Sequence, residues 1–198
     1  MSARESDPPP WTITAERTLL QDRWVHVSAE DCVTASGVSI APFYVFHYPD
    51  FAHAAAITPE GRLVMVRQYR HGARGASLEF AGGVVEPGET PQAAAARELL
   101  EETGYGGVVV GVIGSIWANP VSHRNRAHTV LIRDARRVAD PTPEPSEHLI
   151  VEEVAWSDLS GRVIEGEVVH PLHLSAILQL SLRFGGALPP LTTETARP

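Results

Sequence analysis

Three glutamates carry the strongest chemical signal in this chain: Glu98, Glu101 and Glu102, in the run Arg97-Glu98-Leu99-Leu100-Glu101-Glu102. On a helix, Glu98 and Glu102 share a face with Cβ atoms about 5–6 Å apart. Glu101, three residues from Glu98, lies at the edge of that face. Like charges at this spacing repel, and all three sit in the C-terminal half of the helix, where the macrodipole favours cations. Helix stability alone gives no reason to place them there. A divalent cation removes the penalty, and carboxylate oxygens with no sulfur or imidazole nearby suit hard Mg²⁺ or Mn²⁺ better than zinc. The plain alternative is a solvated acidic face.

The elements that must position these acids are legible nearby. Thr90 suits an N-cap, Pro91 the first helical position and Gly104 the C-terminal stop, which predicts a helix over Pro91–Thr103. Glu89 stands just before it, where a carboxylate is favoured. Upstream, Pro59-Glu60-Gly61 separates Ala52–Thr58 from Arg62–Arg70, a hairpin pattern. Trp11 to about Tyr48 reads as strands, with Val25 and Val27 alternating with polar neighbours and an aromatic run at Phe43–Tyr48. Further strands are expected at Val108–Trp117, Ala127–Arg133 and His148–Trp156. The proline-rich acidic segment Ala139–Ser146 reads as a loop, and a last helix is expected at about Pro171–Phe184. Strands gathered around two or three helices predict an α+β fold, an α/β/α sandwich with a mixed sheet.

Composition narrows the partners. The 198 residues suit one domain with a small extension, and a net charge of −8, from 16 basic and 24 acidic residues, argues against a protein held to nucleic acid by phosphate neutralisation. Cys32 is the only cysteine, which excludes an internal disulfide and a cysteine-cluster zinc site. Its simplest role is a small buried hydrophobe. No apolar run is long enough to span a bilayer, and Met1–Pro10 lacks an apolar signal core, so the cytoplasm is the expected compartment.

The segment from Gly83 to Tyr105, GVVEPGETPQAAAARELLEETGY, resembles the Nudix box. Gly83, Glu89, Arg97, Glu98, Leu99, Glu101, Glu102 and Gly104 match in register. A chance match at ordinary residue usage is on the order of one in a million. Tyr105 departs from the usual aliphatic residue, a matter of packing. Arg67-Gln68-Tyr69-Arg70 and Glu79-Phe80-Ala81-Gly82-Gly83 resemble the approach to the box in ADP-ribose and nucleotide-sugar pyrophosphatases, with Ala81 and Gly82 at the usual Pro and Ala positions.

The resemblance implies Mg²⁺-dependent (or Mn²⁺-dependent) cleavage of a nucleoside diphosphate linked to another group, most simply ADP-ribose or a nucleotide sugar. It implies Glu98 and Glu102 as metal ligands, Glu101 as a third ligand or an aid to one, and the Gly82 carbonyl as a backbone ligand. Arg97 and Glu89 would orient the ligands. Arg70 would bind phosphate, with Arg67 beside it in the same motif, and Glu79 would bind ribose hydroxyls or a metal-bound water. The general base is expected from the acidic loop, as Glu147 or Glu144, with Glu147 better spaced from the following strand. His123 and His128 are weaker candidates. Trp24, Tyr48, Phe51 and Trp117 are candidates for base stacking, each competing with a core or interface role. The implied organisation is a disordered N-terminus (1–10), a β extension (11–48) serving dimerisation and the nucleotide pocket, a Nudix domain (49–186) and a flexible tail (187–198). Readings left open are a nucleotide-sensing module without catalysis, and a hydrolase of dinucleoside polyphosphates or a coenzyme diphosphate.

Overall fold

The computed structural model describes residues 7–184. The tail expected at 187–198 lies outside the described residues, as does most of the N-terminal segment, of which Asp7–Pro10 belongs to no strand or helix. The chain forms two compact units.

The first unit runs up to Tyr48 and adds Trp117–Asn125. Its three strands, β1 (Thr12–Gln21), β2 (His26–Val33) and β3 (Ser39–Phe46), form an antiparallel sheet in chain order. The Asp22 carboxylate makes the first turn by accepting from the backbone of Trp24 (2.7 Å) and Val25 (2.9 Å). β2 is the buried centre, with Ser28, Ala29, Glu30 and Cys32 out of solvent, whereas every residue of β1 is exposed. The charge of buried Glu30 is met by Arg124 at 2.5 Å.

The second unit, Pro49–Ile116 and the chain from Arg126, carries the acids. Its mixed sheet runs β10 (Leu149–Ala155), β5 (Arg62–Arg70), β4 (Phe51–Ile57), β9 (Arg126–Arg137), β8 (Tyr105–Trp117), with β4 and β9 parallel. β4 and β5 pair only near the hairpin, at Ala56–Val64 and Ile57–Leu63, and then separate. Two short strands occupy the divergence: β6 (Gly75–Phe80) pairs with β5, and β7 (Gly82–Val84) pairs with β4. The chain crosses from one to the other at Ala81, whose carbonyl accepts from Ala54 N at 2.8 Å.

Strand alternation divides β4 and β5 between two cores. Ala52, Ala54, Ala56, Val64 and Val66 face α1 (Pro91–Thr103), where Ala94, Ala95 and Leu99 pack on them. The small β4 side chains let the helix approach closely. Ala55, Ile57, Leu63 and Met65 face the other way, onto Leu159 of α2 (Trp156–Ile164) and Ala176 and Leu180 of α3 (Pro171–Arg183). The result is the expected α+β sandwich. α1 has the expected bounds and caps: Thr90 accepts from Ala93 N at 3.2 Å, and Gly104 closes the helix at φ 74°, where a Cβ would meet Ala139 O at 2.2 Å. Where the sequence reading carries a strand through Trp156, the structure starts α2 at that residue. This helix is only nine residues long with Gly161 inside it, so propensity gives little sign of it. Leu159, packed into the core, holds it in place.

Candidate active site

The acid cluster is built by bringing α1 against the β6–β7 crossing. Gly82 N donates to Glu102 Oε2 at 2.9 Å, which fixes the most deeply buried of the three helix glutamates, at 4% exposure. A Cβ on Gly82 would lie 2.3 Å from Ala52 O, and one on Gly83 would lie 2.4 Å from Glu98 Oε1. Gly82 is therefore required by close approach of backbone to backbone, whereas a side chain at Gly83 would displace the Glu98 carboxylate.

Arg97 lies beside the cluster and holds it from one side. Its Nη1 donates to Glu98 (2.7 Å) and Glu101 (3.1 Å), its Nε to Glu89 (3.1 Å), and its Nη2 to Val84 O (3.1 Å). Glu89 is thereby held below the usual carboxylate range, mainly by its bonds to Arg97. Glu98 is raised: burial outweighs the Arg97 bond, with Glu101 and Glu147 adding repulsion. Glu102 is pushed up to about 8, first by burial and then by the charges of Glu98 and Glu147, against the opposing bond from Gly82. Glu101 is more open, with its side chain 45% exposed.

Glu147 thus joins the cluster electrostatically, acting on Glu98, Glu102 and Arg70. Its loop is closed on itself: Glu147 Oε2 accepts from Glu144 N at 3.0 Å, and Glu147 N donates to Glu144 O at 2.8 Å. Glu144 exerts no comparable influence on the buried acids, so the two loop glutamates are inequivalent.

The donor set fits a hard divalent cation. Glu98 and Glu102 each use one carboxylate oxygen in bonds within the protein, and their mutual repulsion is unrelieved by any arginine at Glu102 within bonding distance. Among the described residues, no three acid, imidazole or thiol side chains converge on one point.

Arg70 and Glu79 are bonded to each other. Glu79 is fully buried, and its carboxylate accepts from Arg70 Nε (3.0 Å) and Nη2, from Gln68 Nε2 (3.2 Å), and faces His173 Nε2 at 3.0 Å. Burial opposes its ionisation, but the His173 and Arg70 bonds hold it well below the usual carboxylate range. With its oxygens committed, Glu79 does not face a ribose or a metal-bound water; it orients Arg70. The Arg70 side chain is 42% exposed, and Nη1 and the outer edge of the guanidinium remain turned away from Glu79.

Arg67 is not brought to this group. Val66, Gln68 and Arg70 share one face of β5, while Met65 and Arg67 share the other. There Arg67 donates to Glu152 (2.6 Å) and to Glu167, and Arg162 of α2 bonds the same two acids at 3.1 Å each. An odd-numbered offset along a strand separates two residues that are near in sequence.

Of the remaining candidates, His128 is paired with Asp50 at 3.1 Å, and His123 packs in the first unit against Phe46 and Tyr48, ring centroids 5.2 and 5.4 Å away. Trp24 is an exposed turn residue under the Arg23 guanidinium, and Trp117 is also exposed. Sequence reasoning missed His173 and Gln68. The available signal for His173 was a polar residue on the stripe His173, Ala176, Leu180, all of which are buried on α3.

Three comparisons bear on this geometry. The NUDIX domain model matches residues 48–168. The ADP-ribose pyrophosphatase of Bacillus subtilis (strain 168) is 29% identical over 171 residues, covering 85% of this chain and 91% of that protein. The ADP compounds hydrolase NudE of Escherichia coli (strain K12) is 28% identical over 138 residues, 68% of this chain and 73% of that one. A crystal structure of an ADP compounds hydrolase superimposes with a TM-score of 0.80 at 20% identity, over 91% of this chain and 97% of the other, a likeness of fold.

Proposed function

The chain belongs to the NUDIX domain family and is a hydrolase, and from that premise we propose that it cleaves the diphosphate bond of ADP-ribose, or of a closely similar nucleotide sugar. Water attacks one phosphorus, the bridging oxygen leaves with the other, and the products from ADP-ribose are AMP and ribose 5-phosphate. The observation that carries this reading is Glu102, buried against the Gly82–Gly83 crossing and pushed up to about 8 beside Glu98 and Glu147. Acids so placed are a cost to the fold unless something positive binds them.

Mg²⁺ or Mn²⁺ is the proposed cofactor; Glu98, Glu102 and the Gly82 carbonyl would hold it, with Glu101 in support. When bound, such an ion supplies charge neutralisation for the diphosphate and acidifies water. The protein's own part is largely positioning. Arg97 and Glu89 keep Glu98 and Glu101 aimed. Arg70, steadied by Glu79, presents its outward N–H groups to a phosphate. Glu147, the acid of the facing loop, takes the proton of the attacking water. Arg67 has no part in this reading.

We further propose a cytoplasmic homodimer. The lone cysteine, Cys32, is buried and free, which requires no oxidising compartment, and no described helix is long and apolar enough to cross a membrane. The fully exposed β1, with Ile13, Leu19 and Leu20 open, offers the N-terminal sheet as a surface for a second copy.

The test is product analysis with Mg²⁺ and a panel of diphosphates. ADP-ribose is expected to yield AMP, and Glu102→Gln to lose that activity. No turnover of any diphosphate, or a fully active Glu102→Gln, would contradict the assignment.

A further inference from the structure

β6 has β5 on one side and, on the other, the chain leading into α3. Leu78 N donates to Glu167 O at 2.8 Å, Ser77 Oγ accepts from Val169 N at 3.2 Å, and Phe80 N donates to His173 Nδ1 at 3.3 Å. The histidine thus replaces the next rung of the ladder, meeting a backbone N–H that burial would otherwise leave unpaired. This bond has a second effect. A backbone N–H can only donate, so Nδ1 holds a lone pair and the ring proton sits on Nε2, 3.0 Å from Glu79 Oε2. Phe80 thereby sets the tautomer that binds Glu79.

The surroundings fix the ring further. His173 is 3% exposed, packed against the His53 ring at a tilt of 32° with centroids 4.4 Å apart, and met edge-on by His170 at 5.2 Å. His170 is itself the N-cap of α3, accepting from Leu172 N at 3.2 Å, so the first turn of the helix is anchored before His173 is reached. From there the connection is continuous: Phe80 N–H to His173, His173 to Glu79, Glu79 to the inner edge of the Arg70 guanidinium. Two residues beyond Phe80, the same backbone gives Gly82 N–H to Glu102.

We infer that His173, on a helix beyond the segment matched by the family model, is a positioning residue of the active site: through Glu79 it fixes the direction in which Arg70 meets the substrate phosphate. The inference rests on the reading of Arg70 as the phosphate-binding side chain of a diphosphate hydrolase. Removing His173 leaves Glu79 one donor short and free to turn, and the guanidinium turns with it. Arg70 would still reach the phosphate, but without a fixed fork.

The experiment is a double-mutant cycle on full-length protein with ADP-ribose and Mg²⁺. His173→Phe keeps the ring and removes both nitrogens; its KM is expected to rise about tenfold, the worth of one bond to a charged group, with kcat within about threefold. His173→Gln, whose amide can still donate to Glu79, should recover most of the loss. Arg70→Ala should raise KM by at least as much, and adding His173→Phe to it should cost nothing further. Independently of turnover, the Arg70 Nε–H resonance should shift and exchange faster in His173→Phe than in wild type. The inference is overturned if His173→Phe costs the same factor with and without Arg70, if Gln is no better than Phe, or if the Arg70 Nε–H signal is unchanged. A full loss in Glu102→Gln alongside any of these would leave the hydrolase reading standing, whereas an active Glu102→Gln would remove that reading itself.

Discussion

Two groups of half-buried charge lie toward opposite faces of β5, and they are built on opposite rules. On one face, Arg67 and Arg162 meet Glu152 and Glu167, two cations for two anions, each acid bonded by both arginines. Their carboxyls are held below the ordinary range, chiefly by the Arg67 bonds. On the other face, Glu98 and Glu102 sit with Glu147; both are raised first by burial, both further by Glu147, and Glu102 also by Glu98. The first group is complete as it stands. The second is left short of positive charge, and that shortage is what the proposed cation would meet.

Replacement of single residues should break the comparison cleanly. Glu102→Gln is expected to reduce hydrolysis about 10³-fold, the scale of losing a group that stabilises transition-state charge, while leaving the melting temperature of metal-free protein equal or higher. Glu147→Gln should lower kcat roughly 10²-fold as a lost general base, and Glu144→Gln less than about threefold. Equal mild losses at both would remove the base from this loop. Arg67→Gln should do the reverse of Glu102→Gln: kcat/KM within about twofold of wild type, with a melting temperature lower by about 2–4 °C, as for the loss of a partly exposed arginine paired with two acids.

The two groups should also answer pH in opposite senses. For Glu152 and Glu167, with depressed values in the folded state, the stabilisation is present above the ordinary 4.5 and is lost as pH falls through their lower folded values. Glu152→Gln should therefore lag wild type at neutral pH and converge with it in acid. For Glu102, raised to about 8 from 4.5, the stabilisation is present below 4.5 and is lost as pH rises through about 8. In chelator, Glu102→Gln should match wild type in acid and exceed it progressively toward pH 8. Thermal melts of the three proteins across pH 3 to 9 would read both effects; parallel curves would contradict the assignment of the two groups.

What could be read from the sequence follows the range of the interactions. α1 was legible to its caps because Thr90, Pro91 and Gly104 act within a few residues of one another. The acids on it were legible because helical spacing alone brings Glu98 and Glu102 together. Arg67 was misplaced by a different cause: the motif puts it next to Arg70, but the two-residue period of β5 turns it to the opposite face. The sequence suggests Glu79 as a partner of ribose hydroxyls or a metal-bound water because nothing local shows that Arg70, Gln68 and His173 enclose it. His173 comes from the last helix, and only the close run of the chain past β6 brings it there. The short α2 is hidden because its apolar positions, Trp156, Leu159 and Val163, follow directly on the apolar strand β10, and nothing local marks where the one ends and the other begins.

The central claim is that Glu98 and Glu102 are arranged around a missing positive charge. Titration of Mn²⁺ into substrate-free wild type, Glu98→Gln and Glu102→Gln, followed by electron paramagnetic resonance of the free ion, tests it without reference to turnover. The account predicts a saturable site in wild type that weakens by at least about tenfold in either variant, in line with the loss of a ligand or its support. Three superimposable titrations would contradict it.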